Sequence, residues 1–243
     1  MSRRATGLRA NAIACFALFA AQAGTAQSIS GSDIKADYEN PGYSASFSVT
    51  AYSPWTSTPT LGLKTQDGYT GVGVNGGRTD GEIDWYAGTD SESITLAFAQ
   101  ATQIGSFSLG LLFNGPEYGD VLEAARITVN GDATYYLRAS ATENLANWFN
   151  GGELLDSFSY AAGAGTQSGE GGVITLFNPF GNMLVSSMTF AAAKGAPSCW
   201  NCGNQSDYNV VAVTAVPEPS TYALMLAGLG ALTLVARRRR IPG

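Results

Sequence analysis

Between Tyr43 and Ala51 the chain alternates without a break. Tyr43, Ala45, Phe47, Val49 and Ala51 are apolar or small, and Ser44, Ser46, Ser48 and Thr50 stand between them. Successive side chains of an extended strand point to opposite faces, so a period of two predicts a strand with one buried and one wet face. The same signature, less regular, recurs at 69–74, 93–99, 106–113, 125–129, 134–139, 173–177, 185–191 and 208–215. Asn130-Gly131 separates two of these runs and predicts a tight hairpin, because both residue types tolerate positive φ. Gly- and Pro-rich joints separate the others. Many short strands without a long amphipathic helix predict an all-β fold, an antiparallel β-sandwich of jelly-roll type. One helix is expected at 142–149, where Leu145, Trp148 and Phe149 would cover an end of the sheets. Residues 161–172 are nearly all small and predict a surface loop.

The two ends do not follow this pattern. Residues 1–26 carry Arg3, Arg4 and Arg9, then an apolar run from Ala10 to Ala23. With the small residues of Ala21-Gln22-Ala23 or Gly24-Thr25-Ala26 as the cleavage site, this is the layout of a secretory signal peptide for the Sec export machinery. At the other end, 216–243, Val216-Pro217-Glu218-Pro219 forms a stiff break, since each proline fixes its own φ and restricts the residue before it. Fifteen uncharged residues follow, Tyr222 to Ala236, and then Arg237, Arg238, Arg239 and Arg240. As a helix the apolar run would measure about 22 Å against a hydrocarbon core of ~30 Å, with Tyr222 and Arg237 placed to reach the interfaces. The arginines should stay cytoplasmic, leaving Glu218 and everything before it outside.

This tail resembles the PEP-CTERM sorting signal of exported bacterial proteins, in which a Pro-Glu-Pro triplet, a short hydrophobic helix and an arginine cluster end the chain. The resemblance implies processing by exosortase near the triplet, transient residence in the inner membrane of a Gram-negative bacterium, and release toward a cell surface or matrix containing exopolysaccharide and biofilm. A permanently anchored envelope protein is the other reading of the same segment. Within the 27–215 body, Gly71-Val72-Gly73-Val74, Gly81-Glu82-Ile83-Asp84, the apolar strand 94–98 and a last strand running into the triplet resemble other sandwich-like members of that group.

Removing both ends changes the electrostatics. The body keeps six basic residues, Lys35, Lys64, Arg78, Arg126, Arg138 and Lys194, against eighteen acidic ones, a net charge of −12 compared with −6 for the whole chain. With no basic run, this argues against nucleic acid and anionic lipid, and suits divalent cations or hydroxyl-rich neutral ligands.

The chain has no histidine, which removes histidine triads, histidine general bases and ordinary catalytic zinc sites. No catalytic residue and no enzymatic activity is expected. A carbohydrate-active hydrolase using paired carboxylates would be the enzymatic alternative, with Glu82, Asp84, Glu92, Glu117 and Asp120 available but no spacing that marks a pair. Asp80, Glu82 and Asp84 alternate, which on an extended chain puts three carboxylates on one side and suits Ca²⁺; a solvated acidic edge is the plainer reading. Trp55, Trp85 and Trp200 fall at expected loops or strand ends, where flat rings stack on sugars, so polysaccharide binding is the leading molecular expectation. Core packing would account for such residues equally. Cys199 and Cys202 in an exported chain suggest a small structural disulfide that presents Trp200.

Overall fold

The computed structural model describes residues 26–66, 68–86, 90–114, 121–141, 145–160, 172–197, 205–216 and 227–232. Gly24–Glu218 forms one compact unit, and Met1–Ala23 with Pro219–Gly243 a second. In the second unit the described residues are 227–232, which are helical and exposed. Among the described residues no helix is long and apolar enough to cross a membrane. Residues 1–25 of the expected signal peptide and most of the tail's apolar run lie outside the described residues.

The body is antiparallel β structure, as the alternation predicts. Its elements are β1 (Gln27–Ser30), α1 (Gly31–Glu39), β2 (Phe47–Tyr52), β3 (Thr60–Gln66), β4 (Tyr69–Asn75), β5 (Trp85–Tyr86), β6 (Ser93–Leu112), β7 (Leu122–Val129), β8 (Ala133–Ala139), β9 (Leu145–Asn150), β10 (Glu153–Ser159), β11 (Gly172–Phe177), β12 (Val185–Ala196), β13 (Gln205–Ser206) and β14 (Asn209–Val216). The sequence reads β6 as two strands, yet it is one of 20 residues. Its register against β12 jumps from Val185↔Thr102 to Ser187↔Ala97. A strand that bends at such a bulge can serve two sheets. The first half of β6 lies between β2 and β12 and the second between β14 and β11. One ladder therefore runs β2-β6-β12-β7-β8-β9-β10, and the other β11-β6-β14-β4-β3 with β1 also on β14.

Aromatic rings join the two ladders. Phe107, from the second half of β6, meets Trp148 of β9 edge-on at 5.7 Å and Phe190 of β12 at 5.8 Å. Tyr135 stacks on Trp148 at 5.2 Å with the planes 5° apart. The indole Nε1 donates to the Pro179 carbonyl at 3.3 Å, which satisfies the one polar atom of a side chain only 2 % exposed.

Two local expectations fail for identifiable reasons, and one helix was not expected at all. The helix expected at 142–149 is instead β9 over its described part. Ala146 and Trp148 are buried while Leu145, Asn147 and Phe149 are half-buried, a period of two, and pairing with both β8 and β10 supplies the backbone partners. The strand expected from Tyr43 is β2, and it starts at Phe47. Asn40-Pro41-Gly42-Tyr43 is a turn, closed by the Tyr43 N–H to the Asn40 carbonyl at 2.9 Å with Gly42 at φ 90°, and Tyr43 is 62 % exposed. Helix α1 goes unpredicted although Ser30 and Asp33 form a reciprocal capping box, the Asp33 N–H donating to Ser30 Oγ at 3.2 Å and the Ser30 N–H to Asp33 Oδ2 at 2.9 Å. The Asn130-Gly131 hairpin is present, with φ 56° and 73°, but its loop has three residues instead of the two expected, since Asp132 joins the turn and pairing resumes at Val129↔Ala133.

Candidate functional site

Gly73 decides where the acidic residues go. After β4 the chain turns at Gly76 and Gly81, with φ 91° and 81°, and comes back across its own strand. The Val74 N–H donates to the Glu82 carbonyl at 2.8 Å, and the Gly81 N–H to the Val74 carbonyl at 3.1 Å. The crossing is so close that a Cβ on Gly73 would lie 2.2 Å from the Glu82 nitrogen. Only glycine lets the backbones pass. The Ile83 N–H then donates to the Tyr208 carbonyl at 2.7 Å, which lays residues 82–84 beside the segment that leads into β14. Glu82, Asp84 and Asp207, all buried, each bring a carboxylate oxygen within 4.8 Å of the others. Replacing Gly73 by alanine should lower stability by about 1–3 kcal/mol, the usual cost of an extra carbon in a filled space; a wild-type urea midpoint in that variant would contradict the close crossing.

Partners around the cluster are unevenly supplied. Lys64 donates its ammonium to Glu82 Oε1. Asp84 Oδ2 accepts the N–H groups of Arg78 and Thr79, both at 2.7 Å, while its buried Oδ1 has no hydrogen-bond partner. Glu92 Oε2 accepts the Asp84 N–H at 3.1 Å, and buried Oε1 is again without one. Glu123 stands behind Asp207 and accepts its N–H at 3.1 Å. Burial pushes Glu82 up to about 8, helped by the Asp207 charge and opposed by Lys64. It raises Asp84 to about 6 against the Thr79 and Arg78 N–H groups, and Glu92 to about 7 against the Ser53 hydroxyl. Oxygen donors crowded in this way have the chemistry of a hard-cation site.

The sequence placed two of these three clustered carboxylates. Asp80 is not in the group: it is exposed, and its Oδ1 accepts the Gly76 N–H at 3.0 Å, closing the turn. Asp207 went unnoticed because it lies far along the chain, and nothing in its local spacing marks it. Glu117 and Asp120 lie outside the described residues.

Of the expected stacking residues, Trp55 is 37 % exposed beside a shallow cavity of about 470 Å³ that Tyr52 and Pro54 also line. Trp85 is half-buried at a second cavity of about 560 Å³, which shares Tyr52. The two cavities thus adjoin through one tyrosine. Trp200, Cys199 and Cys202 lie outside the described residues.

Strand β14 ends at Val216, paired with Gln103, and Thr102 donates its hydroxyl to the Val216 carbonyl at 2.8 Å. Pro217, Glu218, Pro219 and the four arginines lie outside the described residues. Neither a curated protein nor a solved structure matches the chain. Residues 215–240 match the family model described as the PEP-CTERM protein-sorting motif. The match begins within the last residues of β14 and takes in the triplet, the apolar run and all four arginines, so the chain carries the sorting motif of PEP-CTERM exosortase-substrate proteins.

Proposed function

We propose that this chain is an exported protein of the cell surface or extracellular matrix, processed by exosortase, whose β body has a structural or polysaccharide-binding role and catalyses no reaction. The observation that carries the reading is the sorting motif that begins in the last two residues of β14 and runs on from it. The apolar run holds the protein in the inner membrane with its arginines inside, and cleavage near the triplet frees the body. Intact-mass measurement on protein recovered outside the producing cells tests this. A C-terminus between Pro217 and Ser220 is expected; retention of Arg237 through Arg240 would instead establish a permanently anchored envelope protein.

A second element of the reading is a Ca²⁺ ion held by Glu82, Asp84 and Asp207, with Glu92 beside them. Its support is the pair of buried carboxylate oxygens, Asp84 Oδ1 and Glu92 Oε1, that have no hydrogen-bond partner. An uncompensated buried carboxylate oxygen is costly, and a divalent cation removes that cost. The ion would brace the crossing of residues 82–84 over β4.

A further inference from the structure

The outer face of the first ladder carries two continuous rows of side chains across five strands. In one row Tyr52 of β2, Ser93 of β6, Ala191 of β12, Arg126 of β7 and Tyr136 of β8 are successive partners in register. In the next, Thr50, Thr95, Thr189, Thr128 and Thr134 face one another in the same strand order, and the hydroxyls of Thr95 and Thr189 are 2.9 Å apart. Strands about 4.8 Å apart make each row roughly 19 Å long. Small Ala191 at the centre leaves the floor low between the tyrosines, and Trp85 stands at the rim of the resulting cavity of about 560 Å³.

The charge on this face opposes that of the body. Arg126, Arg138 and Lys194, half of the body's basic residues, line the cavity and are exposed. None of them forms an ion pair among the described residues. Asp90 is the acidic residue among the lining side chains. The Arg138 guanidinium lies over the rings of Tyr136 and Phe149, 5.1 Å from each centroid, which restricts a long side chain before any ligand arrives. The sequence shows no basic run because these cations come from β7, β8 and β12; the sheet gathers them.

We infer that this face is a binding groove for an acidic polysaccharide, a chain of sugar rings bearing carboxylate or sulfate groups. Tyrosine and tryptophan rings stack on the apolar faces of sugars. Threonine and serine hydroxyls exchange hydrogen bonds with ring hydroxyls. Guanidinium groups take planar anions in paired hydrogen bonds. The length of the rows suits a segment of several sugars. This inference rests on the polysaccharide-binding reading above and names the class of glycan.

Affinity electrophoresis of the secreted protein through gels containing polygalacturonate, dextran sulfate or neutral dextran tests it, with single-stranded DNA as a fourth arm. Retardation by at least one acidic glycan is expected, falling about tenfold or more in an Arg126→Ala/Arg138→Ala variant of unchanged melting temperature; which gel retards tells carboxylate from sulfate. Lys194→Gln provides a milder variant should the double substitution unfold the body, and it too should weaken retardation. Binding to neutral dextran alone would overturn the acidic class while leaving the polysaccharide reading standing. Absence of binding to every glycan would remove both. Retardation that the variants do not change would refute the groove, and tighter binding to single-stranded DNA than to either acidic glycan would overturn the assignment to sugars.

Discussion

In calcium-free buffer the folded body should lose stability as pH rises from about 5 to about 8.5. Unfolded, Glu82 and Glu92 titrate near 4.5 and Asp84 near 3.8; folded, they titrate at about 8, 7 and 6. Between those values the folded state holds protons that the unfolded state has released, so raising the pH favours unfolding. The stabilisation is complete below about pH 4 and is lost as the pH climbs through 6 to 8. Each group contributes up to ~1.4 kcal/mol per pH unit of its window, several kcal/mol for the three together. Calcium bound at the proposed site should reverse the trend, because the deprotonated carboxylates would be its ligands. At a hundred to a thousand times its dissociation constant the ion adds ~2.7–4 kcal/mol. Thermal melts at pH 5 and 8.5, with and without millimolar Ca²⁺, check both signs, and Glu82→Gln should flatten the calcium-free slope. A calcium-free melting temperature that rises across this range in step with that of Glu82→Gln would refute the buried cluster; no calcium response at pH 8.5 would remove the ion.

Replacing Trp148 by alanine should cost about 3–5 kcal/mol, the range for deleting a large buried aromatic. The indole is 2 % exposed and touches Phe107 from the opposite ladder as well as Tyr135 on its own. Its removal therefore opens a cavity where the two ladders meet and strands the Pro179 carbonyl. Trp148→Phe, which keeps part of the volume but loses the hydrogen bond, should cost less. Urea unfolding gives both numbers. A loss below about 1 kcal/mol for Trp148→Ala would mean that the ladders are not joined through this ring.

Period-two patterning carried most of the fold. The runs at 69–74, 125–129, 134–139 and 173–177 lie within or coincide with β4, β7, β8 and β11. Patterning failed where a competing period existed: Leu145, Trp148 and Phe149 fit helical spacing as well as they fit a strand, and only partners on both sides decide the matter. The unity of β6 was hidden because its alternation breaks between the runs at 93–99 and 106–113, whereas exposed Ala99, Gln100 and Ala101 mark the bend between two ladders. For the acidic cluster, local alternation proposed Glu82 and Asp84, but a turn at Gly81 sends Asp80 the other way, and Asp207 arrives only through the tertiary fold. The basic groove was illegible for the same reason, since its three cations lie on three strands. The sorting motif needed no fold, being a contiguous run.

Gln27 of β1 pairs with Ala215 of β14, so the opening and closing strands of the body are neighbours. The second ladder therefore cannot be completed until nearly the whole body has been synthesised and threaded across the membrane. Until then β6 lacks β14 along its second half, leaving an unpaired strand edge open to wrong partners. Were the tail to hold the nascent body at the membrane, as proposed, while its final strand docks, it would shelter that edge, a use in maturation separate from its use as an address.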